Sequence, residues 1–600
     1  MSETQASLSL TLAGMALAAV GCYWIATRFE GIRPGAGPPL EPAASPESLD
    51  RRWLAALVVV VAIGVTLRFV GLGVKGLAHP EAYIPGLDLP PDISVPPPRH
   101  GLGETWYWHF TTEPHPFGYY LAMWAWTKAF GASLVSIRFP EALAGALSLL
   151  LIFRLATASY GARVGAIATA MLALHGFHLF WSQAARMYAP GAFLGLLSTY
   201  LLLEMHRTHG RDRILAAGYV AATVAGALTI EFFWPLLAGQ MLWTALQFRG
   251  RLGALPRVAV VQTLAFILSA PMLSHALMTG RNNAAGAPTL TFLRRYFSFG
   301  FLFQHGAYFE PRDAIPIAVA IAVLILSLLL IARGVGVAPA PVAVDAEVDR
   351  SAMKPLALAA LGMSMVMLAI ALFSERRRLH LTILSVLPFL ALTIPVVVGS
   401  AGAILAKVAP RLGAWLRSQP PAFTLIPLLA VVPTAALFIA SFKVTLLAPR
   451  GFLLFVPFLL IVTAAGALAL ARRREVAVLL ALALTVIFSA SAVIVRRAPI
   501  SPRDYQGLAR AMNARLEPSD LVFVRRSWAT TPLFYYLPHD RLIAKDFAAA
   551  TQQAPEAKIW VVAFGLAEPP GLAEALATYQ AVDSVAALNM KAIRFSPRSR

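Results

Sequence analysis

Runs of about twenty apolar residues recur along this chain of 600 residues, and they constrain its fold more than any other feature. A helix needs roughly 20 such residues to cross the hydrocarbon core of a bilayer. About fourteen segments satisfy that rule, and they lie near residues 7–28, 53–73, 139–157, 162–181, 187–204, 214–230, 232–248, 257–278, 314–333, 355–373, 379–399, 423–442, 451–471 and 476–495. The sequence therefore predicts an all-α polytopic membrane protein.

The composition supports this prediction. Hydrophobic residues make up 58% of the chain and charged residues 13%. A soluble protein of this size cannot bury that share of apolar side chains, so a soluble enzyme, a disordered chain and a coiled coil are excluded. The formal net charge of +20 would indicate nucleic acid as a partner of a soluble domain. Here the basic residues at cytoplasmic helix ends account for it, and no nucleic acid is expected.

The distribution of Lys and Arg predicts how the spans are oriented, because short cytoplasmic loops are enriched in both. Arginines follow the first span, which places the N-terminus outside and residues 29–52 inside. Later basic connections lie near Arg163 and in 207–213, 249–257, 407–417 and 472–474. We interpret the short aromatic segment 117–130 as an interfacial helix, because counting it as a span would invert every later loop.

The N-terminal apolar run has no Lys or Arg before it, unlike a signal peptide, so we interpret it as a membrane span. Ala19–Cys22 faintly resembles a lipoprotein processing site, which leaves lipid modification of Cys22 as the alternative. Cys22 is the single cysteine, which excludes an intramolecular disulfide and leaves a Cys/His zinc cluster unsupported.

Three regions follow from these patterns. Residues 1–52 are predicted to form the N-terminal span with a cytoplasmic linker, and 53–495 a transmembrane domain with a long first external loop, 74–138. Residues 496–600 are predicted to fold as a small α/β domain in the periplasm. Its expected strands are 520–525 and 558–563, and its expected helices are 503–516 and 571–578.

The first external loop carries the densest set of chemically useful side chains. Its prolines stiffen the backbone, its aromatic content argues against disorder, and long ordered loops are usually functional. Its acids and histidines are His79, Glu81, Asp88, Asp92, His100, Glu104, His109, Glu113 and His115, and the tyrosine pair Tyr119–Tyr120 follows them.

Several segments on the external side resemble motifs of one enzyme family. They are Leu77–Tyr83, Thr112–Tyr120, Ile137–Pro140, Trp181–Tyr188, Pro449–Pro457 and Asp504–Tyr536. Their order resembles that of the polyprenyl-phosphate-sugar glycosyltransferases of the GT-C fold, above all the bacterial protein-mannosyltransferase-like and lipid A aminoarabinose transferase-like enzymes. The resemblance implies a GT-C fold of about thirteen core spans, each of membrane-crossing length, with residues 1–52 as an added span.

The resemblance also implies roles for individual residues. Transfer from a lipid phosphate needs cations for the leaving phosphate and a carboxylate that takes the acceptor proton. We expect Glu81 to be the catalytic base, with Asp88 as the second candidate. The expected contacts to the donor phosphate are His115, Arg186, Tyr188 and Arg450, and the expected supporting residues are His79, Glu113, Tyr119, Tyr120 and Arg376.

The sequence departs from the family pattern at two places. The family often carries an Asp-Glu pair where this chain has His79-Pro80-Glu81, and an Arg-Tyr dipeptide where it has Arg450-Gly451. Structural roles are the alternatives for the candidates: Glu81 as a surface turn acid, and Arg186 as an interface anchor. Arg68 is expected to anchor headgroups, and Glu231 is expected to be structural.

The predicted function is transfer of a hexose or pentose, with inversion, from a polyprenyl phosphate sugar to an outward-facing lipid, glycan or protein. No cofactor is indicated, and a divalent metal is left open. A bias toward small residues and arginine favours a GC-rich bacterium, so the inner membrane is the predicted location, with the active site facing the periplasm. The alternative is a membrane transporter or lipid flippase, but transporters usually show repeats and charges within spans.

Overall fold

Helices dominate the computed structural model of the chain. It describes residues 49–113, 115–247, 257–279, 421–440, 449–470, 503–524, 527, 529–543, 555–564, 578–588 and 590–598. The helices before the C-terminal sheet are α1 Arg51–Phe69, α2 Leu102–Thr111, α3 Phe117–Phe130, α4 Leu134–Tyr160, α5 Ala162–Ala173, α6 Gly176–Trp181, α7 Tyr188–Arg207, α8 Arg213–Thr229, α9 Phe233–Gln247, α10 Arg257–Thr279, α11 Pro421–Ala440 and α12 Val456–Leu470. Short 3₁₀ turns occupy His79–Tyr83 and Pro449–Leu454.

Where the structure describes a predicted span, most of that span is helical. Two described helices, α1 and α4, are long and apolar enough to cross a membrane by length and composition, and five further apolar segments are shorter. Helix α3 has 14 residues and is therefore about 21 Å long, too short for the hydrocarbon core. Its interfacial position stays a prediction. The predicted spans that lie outside the described residues are 7–28, 314–333, 355–373, 379–399 and 476–495.

The predicted span 162–181 is wrong in one respect, because it is two helices. Helix α5 ends at Ala173, and α6 begins after His175, whose side chain accepts a hydrogen bond from the backbone N–H of His178. Local capping of this kind starts a new helix. The break leaves carbonyl groups at the end of α5 without helical partners.

The Arg68 side chain lies at this break between α5 and α6. Its expected role as a headgroup anchor is therefore also wrong. Its side chain is fully buried and donates to the carbonyl oxygens of Leu172 and Ala173 at 3.0 and 3.1 Å. Helix α1 comes this close to α5 through Gly64, where an added Cβ would lie 2.7 Å from that of Ala173. The arginine therefore fastens the first described helix to the bundle.

The residues after 503 form a five-stranded mixed sheet with flanking helices. Its strands are β1 Leu521–Val524, β2 Leu542–Ile543, β3 Ile559–Phe564, β4 Tyr579–Ala587 and β5 Met590–Pro597, in the order β2-β1-β3-β5-β4. Strand β1 pairs in parallel with β2 and β3, whereas β5 pairs antiparallel with β3 and β4. The helices are α13 Tyr505–Asn513, which packs on β4 and β5, and α14 Thr531–Phe534.

Two of the predicted strands and one predicted helix appear here as β1, β3 and α13. The other predicted helix, 571–578, lies almost wholly outside the described residues. Helix α14 and the turn after it contact the first external loop directly. The Tyr536 hydroxyl accepts a 2.6 Å hydrogen bond from the backbone N–H of Leu77, and Thr531 bonds both backbone groups of Val95.

Candidate active site

The centre of the first external loop is held by a buried ion pair between Glu81 and Arg138. Glu81 lies in the 3₁₀ turn, and Arg138 lies in the first turns of α4. The guanidinium Nε and Nη2 donate to Glu81 Oε1 and Oε2 at 2.8 and 2.6 Å. Arg138 is 0% exposed and Glu81 1%. A forked pair of this kind is the strongest geometry that a carboxylate and a guanidinium form.

The same pair joins three segments of the chain. Glu81 Oε1 also accepts from the backbone N–H of Ala185, and Oε2 from that of Ala78, both at 2.9 Å. Arg138 further donates to the carbonyl oxygens of Leu72, Lys75 and Gly76. Each carboxylate oxygen thus accepts two hydrogen bonds, which fills its lone pairs. The role of Glu81 as base stays a prediction, and its contacts show that it orders the loop.

Arg186 approaches the same turn from the short segment 182–187 between α6 and α7, which we call the second external loop. Its Nη1 donates to the carbonyl oxygen of Pro80 at 3.0 Å and to the Tyr120 hydroxyl at 2.9 Å, and its guanidinium lies 5.6 Å from the Tyr83 ring. Arg186 is only 4% exposed, and its Nε has no hydrogen-bond partner among the described residues. One donor of a buried cation is therefore left for a ligand.

The pKa of Arg186 shows how the surroundings hold its charge. Burial acts to lower this pKa, but Tyr120, Tyr188 and the Glu113 carboxylate outweigh it, so the net pKa lies above the usual value. His79 shows the opposite effect, because burial and the charges of Arg186, Arg503 and Arg450 lower its pKa to about 4. The site thus keeps a fixed cation beside a neutral imidazole at neutral pH.

A second group of ionisable side chains lies near the C-terminal part of the first external loop. There His115 lies between Glu113 and Glu231. His115 Nε2 is 3.8 Å from Glu113 Oε1, and His115 Nδ1 is 3.4 Å from Glu231 Oε1. Burial acts to raise the pKa of Glu231, but the charge and hydrogen bond of His115, with Arg450, lower it below its usual value. Glu231, which was expected to be structural, therefore belongs to this group of ionisable side chains.

Arg450 and Tyr188 complete the arrangement. Arg450 lies in the 3₁₀ turn Pro449–Leu454, which packs on α7, and its guanidinium is 5.9 Å from the Tyr188 ring. Tyr188 is buried, and its hydroxyl has no partner among the described residues. Glu113, His115, Arg186, Glu231 and Arg450 then form what we call the charge cluster.

Of the remaining sequence candidates, the tyrosine pair lies beside the site, and Asp88 does not join the charge cluster. The Tyr119 hydroxyl donates to the Glu141 carboxylate in α4, and the Tyr120 ring stacks on His109 at 3.7 Å. Asp88 is exposed and lies in a groove beside the C-terminal sheet rather than in the charge cluster. Arg376 lies outside the described residues.

Sequence inspection assigned no role to Arg138, although it stands in the Arg-x-Pro motif. A basic residue near the start of a mostly apolar helix was the available signal. Metal ligation finds no support in this part of the protein: no group of three or more His, Cys, Asp or Glu side chains among the described residues is arranged to hold an ion.

Comparison with known proteins places this site in a family context. Residues 114–275 match the family model of dolichyl-phosphate-mannose-protein mannosyltransferase. No curated protein sequence gives a significant match.

Solved structures of membrane glycosyltransferases are also similar. ArnT from Cupriavidus metallidurans bound to undecaprenyl phosphate is 14% identical, with 90% of this chain and 98% of that chain covered and a TM-score of 0.38. The archaeal oligosaccharyltransferase AglB from Archaeoglobus fulgidus is 14% identical, with 85% and 69% covered and a TM-score of 0.43. The arabinofuranosyltransferase AftD from Mycobacteria is 14% identical, with 92% and 42% covered and a TM-score of 0.36. The resemblance inferred from the motifs is confirmed by the family match: through residues 114–275 the chain is similar to the polyprenyl-phosphate-sugar glycosyltransferases of the GT-C fold.

Proposed function

We propose that this protein is an integral-membrane glycosyltransferase that moves a sugar from a polyprenyl phosphate to a hydroxyl of an outward-facing lipid, glycan or protein. The observation that carries the proposal is the charge cluster. It combines two arginines with two carboxylates where the two external loops meet the turn that carries Arg450. A phosphate that departs from an anomeric carbon and an acceptor hydroxyl that loses a proton need those two kinds of group.

The arginines would bind the donor phosphate. Arg186 is buried with one donor unused, and Arg450 is exposed within 5.9 Å of the Tyr188 ring. Both charges act on Tyr83, so both approach one region. Guanidinium groups form forked hydrogen bonds to phosphate oxygens, which hold the leaving group in a fixed direction.

Glu113 is our candidate for the catalytic base. The ionisable side chain nearest to its carboxylate among the described residues is His115 at 3.8 Å, which is too long for a hydrogen bond. Its carboxylate therefore retains acceptor capacity, unlike that of Glu81. In the proposed step the acceptor oxygen bonds to the anomeric carbon while the bond from that carbon to the phosphate oxygen breaks. The proton passes to Glu113, the phosphate leaves with the electron pair, and configuration inverts.

Arg186→Ala should weaken the binding of undecaprenyl phosphate to the purified protein in detergent. One hydrogen bond to a charged group contributes about 1.5–3 kcal/mol, which corresponds to about a 10- to 150-fold rise in Kd. Arg207→Ala is the matched control, because Arg207 is 41% exposed and pairs with Glu204 at the far end of α7. Titration monitored by tryptophan fluorescence measures both. Equal Kd values for the two variants would make Arg186 an interface anchor only.

The C-terminal sheet should lie in the periplasm, since an even number of spans brings both termini to one side of the membrane. A C-terminal alkaline phosphatase fusion should be active, and a C-terminal green fluorescent protein fusion should be dark. The reverse pattern would show that the span count is wrong by one.

A further inference from the structure

A polar groove of about 720 Å³ lies between the first external loop and the segments that flank the C-terminal sheet, the end of α13 and residues 535–541. Its chemically active lining residues are Asp88 from the loop and Asn513, Tyr535, Tyr536, His539 and Asp540 from the C-terminal region. It is distinct from the charge cluster, because no residue of that cluster lines it. Its volume is in the range of small-molecule binding sites.

Two groups in the groove are unused by the protein. The Asp88 carboxylate is exposed and makes no hydrogen bond or ion pair with the described residues. The Tyr535 ring is half-buried, and burial, together with the nearby Asp88 charge, raises the pKa of its hydroxyl. Tyr535 and Tyr536 stand at right angles, with ring centroids 5.1 Å apart. The groove therefore offers an acceptor carboxylate beside an aromatic corner.

Three polar side chains that line the groove contact backbone carbonyl groups. Arg541 Nη1 donates to the carbonyl oxygen of Glu517 at 2.6 Å, and His539 Nε2 lies 3.1 Å from the carbonyl oxygen of Phe534. Asn513 donates to the carbonyl oxygen of Tyr536 at 2.9 Å. The Asp88 carboxylate has no such partner among the described residues, so the groove offers an acceptor for the O–H donors of a ligand. Tyrosine rings add apolar area with a polar edge, which suits the mixed faces of a sugar.

We propose that this groove binds a neutral saccharide, the glycan portion of the acceptor. The proposal rests on the proposed function for the word acceptor, but the binding site stands on the groove itself. The groove is also joined to the buried pair Glu81–Arg138. Tyr536 accepts from the backbone N–H of Leu77, and the adjoining segment Leu72–Gly76 is bonded to Arg138, the partner of Glu81. A saccharide held there lies against the first external loop, which also carries Glu113 and His115 of the charge cluster.

A glycan array probed with the full-length protein in detergent tests the site without any transfer reaction. We expect the wild-type protein to be retained on neutral oligosaccharides, and Asp88→Asn and Tyr535→Ala each to lose about tenfold in affinity. Asp92→Asn is the matched control, because Asp92 is an exposed aspartate of the same loop that does not line the groove. It should bind as the wild type does.

Measuring the Kd for undecaprenyl phosphate distinguishes a failure of the groove proposal from a failure of the proposed function. Asp88→Asn should leave the Kd for that lipid unchanged, and a change in it would place Asp88 in the donor site instead. Retention of the protein on anionic glycans alone, or on none, would overturn the groove assignment. Loss of neutral glycan binding in Asp92→Asn to the same extent would overturn it as well. Neither result depends on whether a sugar is transferred.

Discussion

Arg138→Gln should destabilise the protein by about 3–5 kcal/mol, because it leaves the buried Glu81 carboxylate without its partner. Three backbone carbonyl groups lose a donor in the same variant. Arg154→Gln is the control, since Arg154 is an exposed arginine of the same helix, and surface changes typically stay within about 0.5 kcal/mol. Chemical denaturation of the purified proteins in detergent measures the free energy of unfolding.

The double variant Glu81→Gln/Arg138→Gln then tests the pairing itself. Because the two side chains bond each other directly, the effects of the single changes should not add. A coupling of about 0.5–3 kcal/mol is expected for residues in contact. Strict additivity, or an Arg138→Gln variant as stable as Arg154→Gln, would contradict the structural role that we assign to the pair.

Glu113→Gln should slow sugar transfer by about 10²–10⁴-fold, which is the usual contribution of a general base. The substitution keeps the size of the side chain and removes its basicity, so folding and donor binding should be retained. Glu104→Gln is the control, because Glu104 is an exposed acid of the same loop whose contacts are two backbone N–H groups.

The alternative assignment predicts a different set of rates. If Glu81 is the base, Glu81→Gln should abolish transfer while Glu113→Gln retains the wild-type rate. If Glu81 only orders the loop, Glu81→Gln should lower stability together with activity. Measured unfolding free energies for both variants, beside their rates, decide between the two carboxylates.

The sequence predicted most of the described helices because apolar runs are a local signal. It missed the break at His175, since a capping histidine inside an apolar run looks like part of the span. It predicted β1 and β3 but not β4, because Tyr579–Ala587 mixes exposed and buried positions without regular alternation.

The candidate site shows the same difference between local signals and long-range contacts. Motif order indicated Arg186, Tyr188 and Arg450. In the structure the Arg186 guanidinium lies near the Tyr83 ring, and the Arg450 guanidinium lies near the Tyr188 ring. The partners of Glu81 and His115 could not be predicted, because the Arg138 and Glu231 contacts join residues 57 and 116 positions apart. Such contacts depend on how helices pack rather than on any local pattern.

Transfer in detergent solution tests the central claim most directly. Lipids and glycans extracted from a strain that lacks the gene would contain both the unused donor and the unglycosylated acceptor, and mass spectrometry follows them after purified protein is added. We predict that the wild-type protein converts the polyprenyl phosphate sugar to polyprenyl phosphate while one acceptor gains a glycosyl group, and that Glu113→Gln does so about 10²–10⁴-fold more slowly. Detergent abolishes compartments, so a transporter would leave every species unchanged, and that result would contradict the account.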